Sequence, residues 1–215
     1  MPIRVLLADD HPLIAGGLMA LLRSQDDIEI VGCVADGRSA VQSAVALSAD
    51  VAILDVSMPD MNGIEAAERI LAARPATRVI MLSMHDSQEH VYRALRAGAL
   101  AYVLKESAGT EIIAAVRSVL VGRRFISSRI QGQAALLERL GARSATSPLE
   151  SLSKREREIL QLVVEGHSSA EIARALALSP KTVDTYRSRL MQKLGLEDVP
   201  ALVKFAVQHG VTGLK

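Results

Sequence analysis

Short apolar runs alternate with longer amphipathic segments over the first 121 residues of this chain. The runs are IRVLLA (3–8), IEIVGCV (28–34), VAILD (51–55), RVIMLS (78–83) and AYVLK (101–105). The segments between and after them have helical periodicity near residues 12–23, 37–47, 63–73, 87–97 and 108–121. Strands that read as continuous apolar runs are typical of parallel sheets, which are buried on both faces. The alternation therefore predicts an α/β domain with a doubly wound, five-stranded parallel sheet.

This alternation ends near Gly122. Residues 123–150 contain one helical pattern, IQGQAALLERL, followed by GARSATSPLES, which is rich in the small and polar residues of linkers. Only helical patterns follow, as far as residue 215. We therefore predict an α/β domain at 1–122, a linker with a helix at 123–150 and a small all-α domain at 151–215.

The composition favours a protein of the cytoplasm with no membrane partner. Hydrophobic residues make up 49% of the chain, but no apolar run reaches the roughly 18 residues that a membrane span requires. The opening sequence, MPIRVLLADDH, lacks the apolar and cleavage regions of a signal peptide. Cys33 is the single cysteine, so it cannot form a disulfide within the chain. Because it lies in the run IEIVGCV, we expect Cys33 to be a small core residue.

The two halves of the chain differ in charge. Residues 1–122 carry 10 Lys and Arg against 15 Asp and Glu, whereas residues 123–215 carry 15 against 9. An acidic half joined to a basic half predicts a different partner for each, and nucleic acid is a candidate for the basic half. Aromatic residues make up 2% of the chain, which argues against a single-strand binder that stacks bases on aromatic side chains.

Polar side chains stand at the carboxyl ends of four predicted strands. They are Asp9 and Asp10 after the first strand, Asp55 at the third, Ser83 at the fourth and Lys105 at the fifth. Ligands of open α/β sheets bind at this edge. Each residue also has an ordinary alternative: Asp10 or Ser83 as a helix cap, Asp55 in a turn, and Lys105 as a surface charge.

The three acids together predict a cation, because carboxylates placed close together repel each other unless a cation lies among them. Mg²⁺ suits such a set, since proteins usually bind it with a few carboxylates plus waters. With Mg²⁺ and Lys105 nearby, Asp55 could accept a phosphoryl group as an aspartyl-phosphate. Phosphate-loop, dinucleotide, nucleophile-elbow and HExxH motifs are all absent from the sequence.

Residues 3–121 resemble the flavodoxin-like receiver domain of two-component response regulators. The matching segments are LLADDHP, LDVSMPDMNG, MLSMHD and AYVLKES. The resemblance implies that Asp55 is the phosphoacceptor. It also implies that Asp10, Asp55 and the backbone carbonyl of Ser57 bind Mg²⁺ directly, with Asp9 acting through water. It implies that Ser83 and Lys105 hold phosphoryl oxygens. Tyr102 occupies the family's aromatic switch position, although an ordinary strand aromatic would also fit there.

The segment from 152 to 196 has the signals of a helix-turn-helix. Ser153 and Glu156 fit a capping box, and Gly166 fits the end of that first helix. Ser168 or Ser169 can cap a second helix that ends near Ala177. A third helix begins with Ser179 as its cap and Pro180 at the first helical position. Two helices joined by a short turn are the pattern of this DNA-binding motif.

The third helix has one apolar face and one polar, basic face. At about 100° per residue, Val183, Tyr186, Leu190 and Leu194 fall on the inward face. The opposite face and its flanks carry the candidate DNA-binding residues Lys181, Thr182, Asp184, Thr185, Arg187, Ser188, Arg189 and Lys193. A polar centre with basic flanks suits the major groove of DNA, and a solvated amphipathic helix is the alternative.

This segment closely resembles the four-helix DNA-binding domain of the LuxR/NarL class of regulators. The matching residues are LSKREREIL, EIA (171–173), TV (182–183) and KLGL (193–196), with VPALVKFAVQHG as the fourth helix. Many relatives carry a basic residue where Asp184 stands. An acid there repels phosphate, and it could accept a hydrogen bond from the amino group of cytosine.

Together the two resemblances imply a phosphorylation-controlled transcriptional regulator. The implied partners are a sensor histidine kinase, double-stranded promoter DNA, a second copy of the chain when phosphorylated, and RNA polymerase as a further candidate. We expect that the protein is not an enzyme, and that it catalyses only its own phosphoryl transfer and dephosphorylation at Asp55. The alternatives are a phosphorylation-independent DNA-binding regulator that uses the receiver for dimerisation, a phosphotransfer enzyme with a helical appendage, and an RNA-binding antiterminator.

Overall fold

The computed structural model describes residues 1–132 and 148–212. The chain divides into two compact units, Met1–Ala145 and Thr146–Lys215. Most of the helix predicted at 130–140 lies outside the described residues. Within the described ranges, the helices are all too short or too polar to cross a membrane.

The first unit is built on a parallel sheet. Its strands are β1 (Ile3–Ala8), β2 (Ile28–Val34), β3 (Val51–Asp55), β4 (Arg78–Ser83), β5 (Ala101–Leu104) and β6 (Phe125–Ile126). They lie in the order β2-β1-β3-β4-β5-β6, and every neighbouring pair is parallel. The strand order reverses between β1 and β3, which is where open α/β sheets leave a crevice for a ligand.

The sheet has six strands, so the prediction of five is wrong. The sixth strand pairs Phe125 with Ala101 and Ile126 with Tyr102. A run of two residues between Arg124 and Ser127 is too short to produce a strand signal in the sequence. It forms because the edge of β5 offers unpaired backbone groups to the chain that leaves the last helix.

Within residues 1–132, five α-helices cover the two faces of the sheet. They are α1 (Pro12–Arg23), α2 (Gly37–Ala46), α3 (Gly63–Ala73), α4 (Gln88–Arg96) and α5 (Ala108–Leu120). Helices α2, α3 and α4 pack on one core cluster, which contains alternate strand residues such as Leu54 and Met81. Helices α1 and α5 pack on the other, which contains Ile53 and Ile80. The doubly wound arrangement follows from this alternation of buried side chains along each strand.

The expectation that Cys33 is a core residue is wrong. Cys33 is exposed, although the central strands β3, β4 and β5 carry buried residues at almost every position. It lies on β2, which is an edge strand paired only with β1 among the described strands. An edge strand leaves part of its surface to solvent, so an apolar run does not guarantee burial there.

The second unit contains four helices around one apolar cluster. They are α6 (Lys154–Val164), α7 (Ser169–Leu176), α8 (Pro180–Leu194) and α9 (Val199–Gln208). Ser153 and Ser168 each form a capping box with the glutamate three residues later, and Ser179 caps α8. Helix α7 ends in a left-handed residue at Ala177, and α8 ends in one at Gly195. These local signals place the helix boundaries where the sequence predicts them.

Candidate functional site

The carboxyl ends of β1 and β3 bring three carboxylates together. Asp55 is the last residue of β3, and Asp9 and Asp10 follow β1 directly. Asp9 and Asp55 are almost fully buried, at 3% and 2% exposure. Oxygen atoms of Asp9, Asp10 and Asp55, with a ring nitrogen of His11, all lie within 4.8 Å of one another. The acids that the sequence predicts to converge therefore do so at the switch point of the sheet.

Lys105 joins two of these carboxylates. Its Nζ donates to Asp55 Oδ2 at 2.7 Å and to Asp9 Oδ1 at 3.0 Å, and it lies 2.9 Å from Asp9 Oδ2. Its side chain is 2% exposed. One buried ammonium group thus faces two buried carboxylates, which leaves an excess of negative charge in a site largely closed to water.

The start of α3 holds the Asp55 backbone in place. A Cβ atom on Gly63 would lie 2.0 Å from the carbonyl oxygen of Asp55, so only glycine permits this close approach. Asn62 caps α3 by accepting a hydrogen bond from the amide of Glu65 at 2.9 Å. The amide of Ser57 donates to Asp55 Oδ1 at 3.3 Å. Asn62 and Gly63 therefore fix the end of the strand, and the amide of Ser57 orients the carboxylate of Asp55.

Burial raises the pKa of Asp55 from 3.8 to about 6, even though Lys105 acts to lower it. The charge of Asp9 adds to the rise, and the hydrogen bonds from Lys105 and Ser57 oppose it. A carboxylate in this environment is costly to ionise without a further cation. A cation beside it would favour the ionised form, in which Asp55 is a nucleophile.

The donor set fits Mg²⁺. Asp10 Oδ1 is buried, and it accepts no hydrogen bond from the described residues, although His11 Nδ1 lies 2.8 Å away. Buried carboxylate oxygens without hydrogen-bond donors are costly unless they coordinate a cation. Oxygen ligands from a few carboxylates are what Mg²⁺ prefers. Asp9, Asp10 and Asp55, with the backbone carbonyl of Ser57, are the residues available to hold it.

His11 is part of this cluster, although a lone histidine in a sequence is more often a surface or packing residue than a ligand. Its Nδ1 lies 3.2 Å from Asp9 Oδ1 and 3.3 Å from Lys105 Nζ, while half of its side chain remains exposed. Its backbone N–H donates to Asp9 Oδ1 at 2.8 Å. The signal in the sequence is its position directly after two acids that end a strand.

Ser83 and Tyr102 lie on the next two strands. Ser83 is fully buried, and its Oγ accepts from the amide of His85 at 2.9 Å. Tyr102 is fully buried too, and its hydroxyl donates to the carbonyl oxygen of His85 at 2.7 Å. Burial raises the pKa of Tyr102 above its usual range, and a hydrogen bond with Ser83 partly offsets this. Both residues therefore contact the loop after β4.

Helix α8 presents the residues that the sequence assigned to DNA. Val183 and Leu190 are buried and Tyr186 and Leu194 pack against the same cluster, as the angular pattern predicts. The exposed or half-buried residues of this helix include Lys181, Thr182, Asp184, Thr185, Arg187, Ser188, Arg189 and Lys193. The two faces are therefore arranged as the sequence indicates, with a basic polar face directed away from the core.

Several of these polar residues have partners within the domain. Lys193 Nζ donates to Glu156 Oε2 at 2.7 Å, and the Thr185 hydroxyl donates to the carbonyl oxygen of Lys181 at 2.9 Å. Ser169 donates to Asp184 at 2.6 Å. The sequence pattern does not reveal the contacts of Lys193 and Asp184, because their partners Glu156 and Ser169 come from other helices.

Two family models cover most of the chain. Residues 5–117 match the response regulator receiver domain. Residues 150–206 match the bacterial regulatory proteins of the LuxR family.

Relatives align over almost the whole length. The transcriptional regulatory protein MctR of Rhizobium johnstonii is 37% identical over 209 residues, which cover 97% of this chain and 95% of MctR. The oxygen regulatory protein NreC of Staphylococcus carnosus is 37% identical over 210 residues, or 95% of this chain and 97% of NreC. The response regulator UvrY of Escherichia coli K12 is 36% identical over 209 residues, or 97% and 95%.

Solved structures agree with these matches. The RcsB response regulator of Salmonella typhimurium superposes with a TM-score of 0.67 at 29% identity, over 97% of this chain and 98% of RcsB. A structure of RcsB bound to promoter DNA in the presence of the phosphomimetic BeF3⁻ gives a TM-score of 0.61 at 28% identity, over 99% and 100% of the two chains. RcsB dimers bound to DNA give 0.59 at 29% identity, over 97% and 99%.

Proposed function

This chain belongs to the response regulators that join a receiver domain to a LuxR-type DNA-binding domain, and we propose that phosphorylation of Asp55 controls its binding to promoter DNA. The observation that carries the proposal is the contact of the buried Asp55 carboxylate with Lys105 at the mouth of the sheet. A structural aspartate would not need a lysine and two further acids around it. The phosphoryl donor is a sensor histidine kinase.

The transfer is a displacement at phosphorus. An oxygen of Asp55 forms a bond to the phosphorus of the donor phosphohistidine, and the bond from phosphorus to the donor nitrogen breaks. The electron pair of that bond returns to the imidazole. Lys105 neutralises negative charge on the transferring group, and the hydroxyl of Ser83 donates to one of its oxygens.

Asp10, Asp55 and the carbonyl of Ser57 would hold Mg²⁺ at this site, and Asp9 would act through a water molecule. When bound, Mg²⁺ neutralises charge on the phosphoryl group. Asp9 and Lys105 keep the cluster together, because each of the two oxygens of Asp9 lies within 3.0 Å of the ammonium group. The chain catalyses this step only on itself, so it is not a turnover enzyme.

Phosphorylation is read out through Ser83 and Tyr102. Once Ser83 bonds a phosphoryl oxygen, the loop after β4 rearranges, and Tyr102 loses its present partner, the carbonyl of His85. The new surface favours a homodimer. Two copies of α8 about one helical turn apart then read a two-fold symmetric site in the major groove.

The DNA contacts come from α8. Lys181, Arg187 and Arg189 are proposed to bind phosphates, together with Lys193 at the end of the helix, and Thr182, Thr185 and Ser188 face the base edges. Asp184 lies on the same face and is discussed below. We place the receiver at 1–122, the linker at 123–150 and the DNA-binding domain at 151–215. The protein acts in the cytoplasm, with RNA polymerase as a further partner.

Selection from a pool of random-sequence duplexes tests the proposal. The full chain, treated with acetyl phosphate and Mg²⁺, is expected to enrich a two-fold symmetric sequence, and Asp55→Asn is expected to recover much less of it. The exposed Asp26→Asn is the matched control and should behave as the wild type. Equal recovery by wild type and Asp55→Asn would contradict phosphorylation control and indicate a DNA-binding regulator that does not depend on it.

A further inference from the structure

Asp184 and Arg187 are bound to the same hydroxyl group. Both belong to α8, where a separation of three residues places them side by side on the helix surface. Ser169, the first residue of α7, donates from Oγ to Asp184 Oδ1 at 2.6 Å. The same Oγ accepts from Arg187 Nη1 at 3.2 Å. The three side chains therefore form a chain of hydrogen bonds across the two helices of the helix-turn-helix.

The direction of these bonds is fixed by the chemistry of each group. An ionised carboxylate only accepts and a guanidinium only donates, so the hydroxyl of Ser169 must donate to one and accept from the other. Its single hydrogen is used on Asp184, which turns its lone pairs towards Arg187. Removing the carboxylate frees that hydrogen to rotate, and Arg187 loses a fixed acceptor.

Arg187 differs in this respect from two other cations of α8. The side chains of Lys181 and Arg189 make no hydrogen bond or ion pair with any residue in 1–132 or 148–212, and both residues are exposed. Arg187 is half-buried and is held by Ser169. A side chain that is already fixed loses less conformational entropy when it binds a partner.

We propose that Asp184 is a positioning residue that, through Ser169, orients the Arg187 guanidinium for a DNA phosphate. This role rests on the DNA binding proposed above, and it takes the place of a base contact by Asp184. A carboxylate on a DNA-binding face repels phosphate, so its presence needs a compensating gain. A fixed Arg187 supplies that gain.

Two substitutions separate the charge of Asp184 from its geometry. Asp184→Asn keeps an oxygen that can accept from Ser169 and removes the charge. Asp184→Ala removes both. Glu197→Ala is the matched control, because Glu197 is exposed just beyond α8 and makes no hydrogen bond or ion pair within the described parts of the chain.

The experiment measures binding of the full chain to a fluorescent random-sequence duplex pool, after treatment with acetyl phosphate and Mg²⁺, at several salt concentrations. Arg187→Ala is expected to reduce the slope of log affinity against log salt by about one, because one phosphate contact is lost. Asp184→Ala and Ser169→Ala should reduce it by a similar amount. Asp184→Asn should keep the wild-type slope and bind at least as tightly.

A double-mutant cycle gives the readout that a merely structural role would not move. In the Arg187→Ala background, Asp184→Ala should no longer weaken binding. The loss of affinity in the double variant should therefore be smaller than the product of the two single losses by more than about twofold. Circular dichroism of each variant should match that of the wild type.

Three results would overturn the inference. One is an unchanged slope and tighter binding in Asp184→Ala, as expected for Glu197→Ala, which would make Asp184 a simple surface charge. Another would come from sequencing the duplexes that Asp184→Asn binds. A changed preference at a single base pair, relative to the wild type, would show that Asp184 contacts a base. Failure of the wild type to bind the pool would instead remove the proposed function, and this inference with it.

Discussion

The Nζ of Lys105 lies 2.7 Å from Asp55 Oδ2 and 3.0 Å from Asp9 Oδ1, so one buried cation serves two buried carboxylates. Asp9 and Lys105 are 96 residues apart in the sequence, with Asp55 between them. The three residues meet only because β1, β3 and β5 are parallel. The charge balance of the site therefore depends on Lys105 when no metal is present, and on Lys105 and the metal together otherwise.

Replacing Lys105 should destabilise the receiver unit in a metal-dependent way. In chelator, Lys105→Met leaves Asp9 and Asp55 buried without their cation, so the free energy of unfolding should fall by about 3–5 kcal/mol. Saturating Mg²⁺ should recover part of this loss. Urea denaturation followed by circular dichroism measures both values. Arg38→Met, an exposed change of the same charge, is the control and should have little effect.

If Lys105→Met and Arg38→Met unfold at the same urea concentration in chelator, the ion pairs of Lys105 do not support the fold.

The stability of the metal-free receiver should change with pH through Asp55. Its pKa is raised from 3.8 to about 6 in the folded protein, so between these two pH values the folded state holds a proton that the unfolded state has lost. Ionised Asp55 therefore opposes folding above pH 6, and this penalty vanishes below about pH 4. Asp55→Asn should raise the free energy of unfolding at neutral pH by up to about 3 kcal/mol.

Denaturation in chelator across this pH range measures the difference between Asp55→Asn and wild type. It should shrink towards zero as the pH falls through 6 to 4, and Mg²⁺ should abolish it at neutral pH. A difference that grows as the pH falls would show that the sign is wrong. The exposed Asp26→Asn provides the reference.

Gly63→Ala should displace Asp55, although Gly63 contributes no side chain to the site. The new Cβ would lie 2.0 Å from the carbonyl oxygen of Asp55, so either α3 or the end of β3 must move. We expect a loss of about 1–3 kcal/mol in unfolding free energy and slower phosphorylation by acetyl phosphate. Gly16→Ala is the matched control, because open space surrounds Gly16 on α1.

Gly16→Ala should gain about 0.5–1 kcal/mol, since it replaces a glycine inside a helix. Equal stability of the two variants would contradict the close approach of Gly63 to Asp55.

Glu156 should stabilise the helical unit through its cap and its ion pair. It accepts from the amide of Ser153 and from Lys193, both at 2.7 Å. Burial acts to raise the pKa of Glu156, but the hydrogen bonds from Lys193 and Ser153 outweigh this and lower it. Its contribution is therefore present above the unfolded pKa and is lost as the pH falls through the folded one.

Glu156→Gln should lower the unfolding free energy of the helical unit by about 1–2 kcal/mol at neutral pH. Thermal denaturation at neutral and acidic pH measures this loss, which should be smaller in acid. Glu197→Gln, which changes an exposed charge, should have no comparable effect. Because glutamine can still accept from the Ser153 amide, a Glu156→Gln variant as stable as wild type would indicate that the charge of Glu156 and its ion pair with Lys193 contribute nothing measurable.

Local signals made much of the fold predictable. The strand at 51–55 and the caps at Ser153 and Ser179 are where the sequence indicates, because apolar runs and cap residues act over a few positions. The acidic site was predictable too, since parallel strands bring their carboxyl ends to one edge.

Features that depend on tertiary neighbours were not predictable. The strand at Phe125–Ile126 forms only because β5 offers it unpaired backbone groups. Cys33 is exposed because β2 is an edge strand of the sheet. The contact of His11 with Lys105 and the bond from Ser169 to Asp184 join side chains that no spacing rule connects. Such contacts depend on rotamers and on the packing of one element against another.

The most direct test of the central claim is intact-mass spectrometry of the full chain after incubation with acetyl phosphate, with and without Mg²⁺. We predict one phosphoryl increment that requires Mg²⁺, is present in Asp26→Asn and is absent in Asp55→Asn. An increment of the same size in Asp55→Asn, or none in the wild type with Mg²⁺, would contradict the claim that Asp55 is the phosphoacceptor.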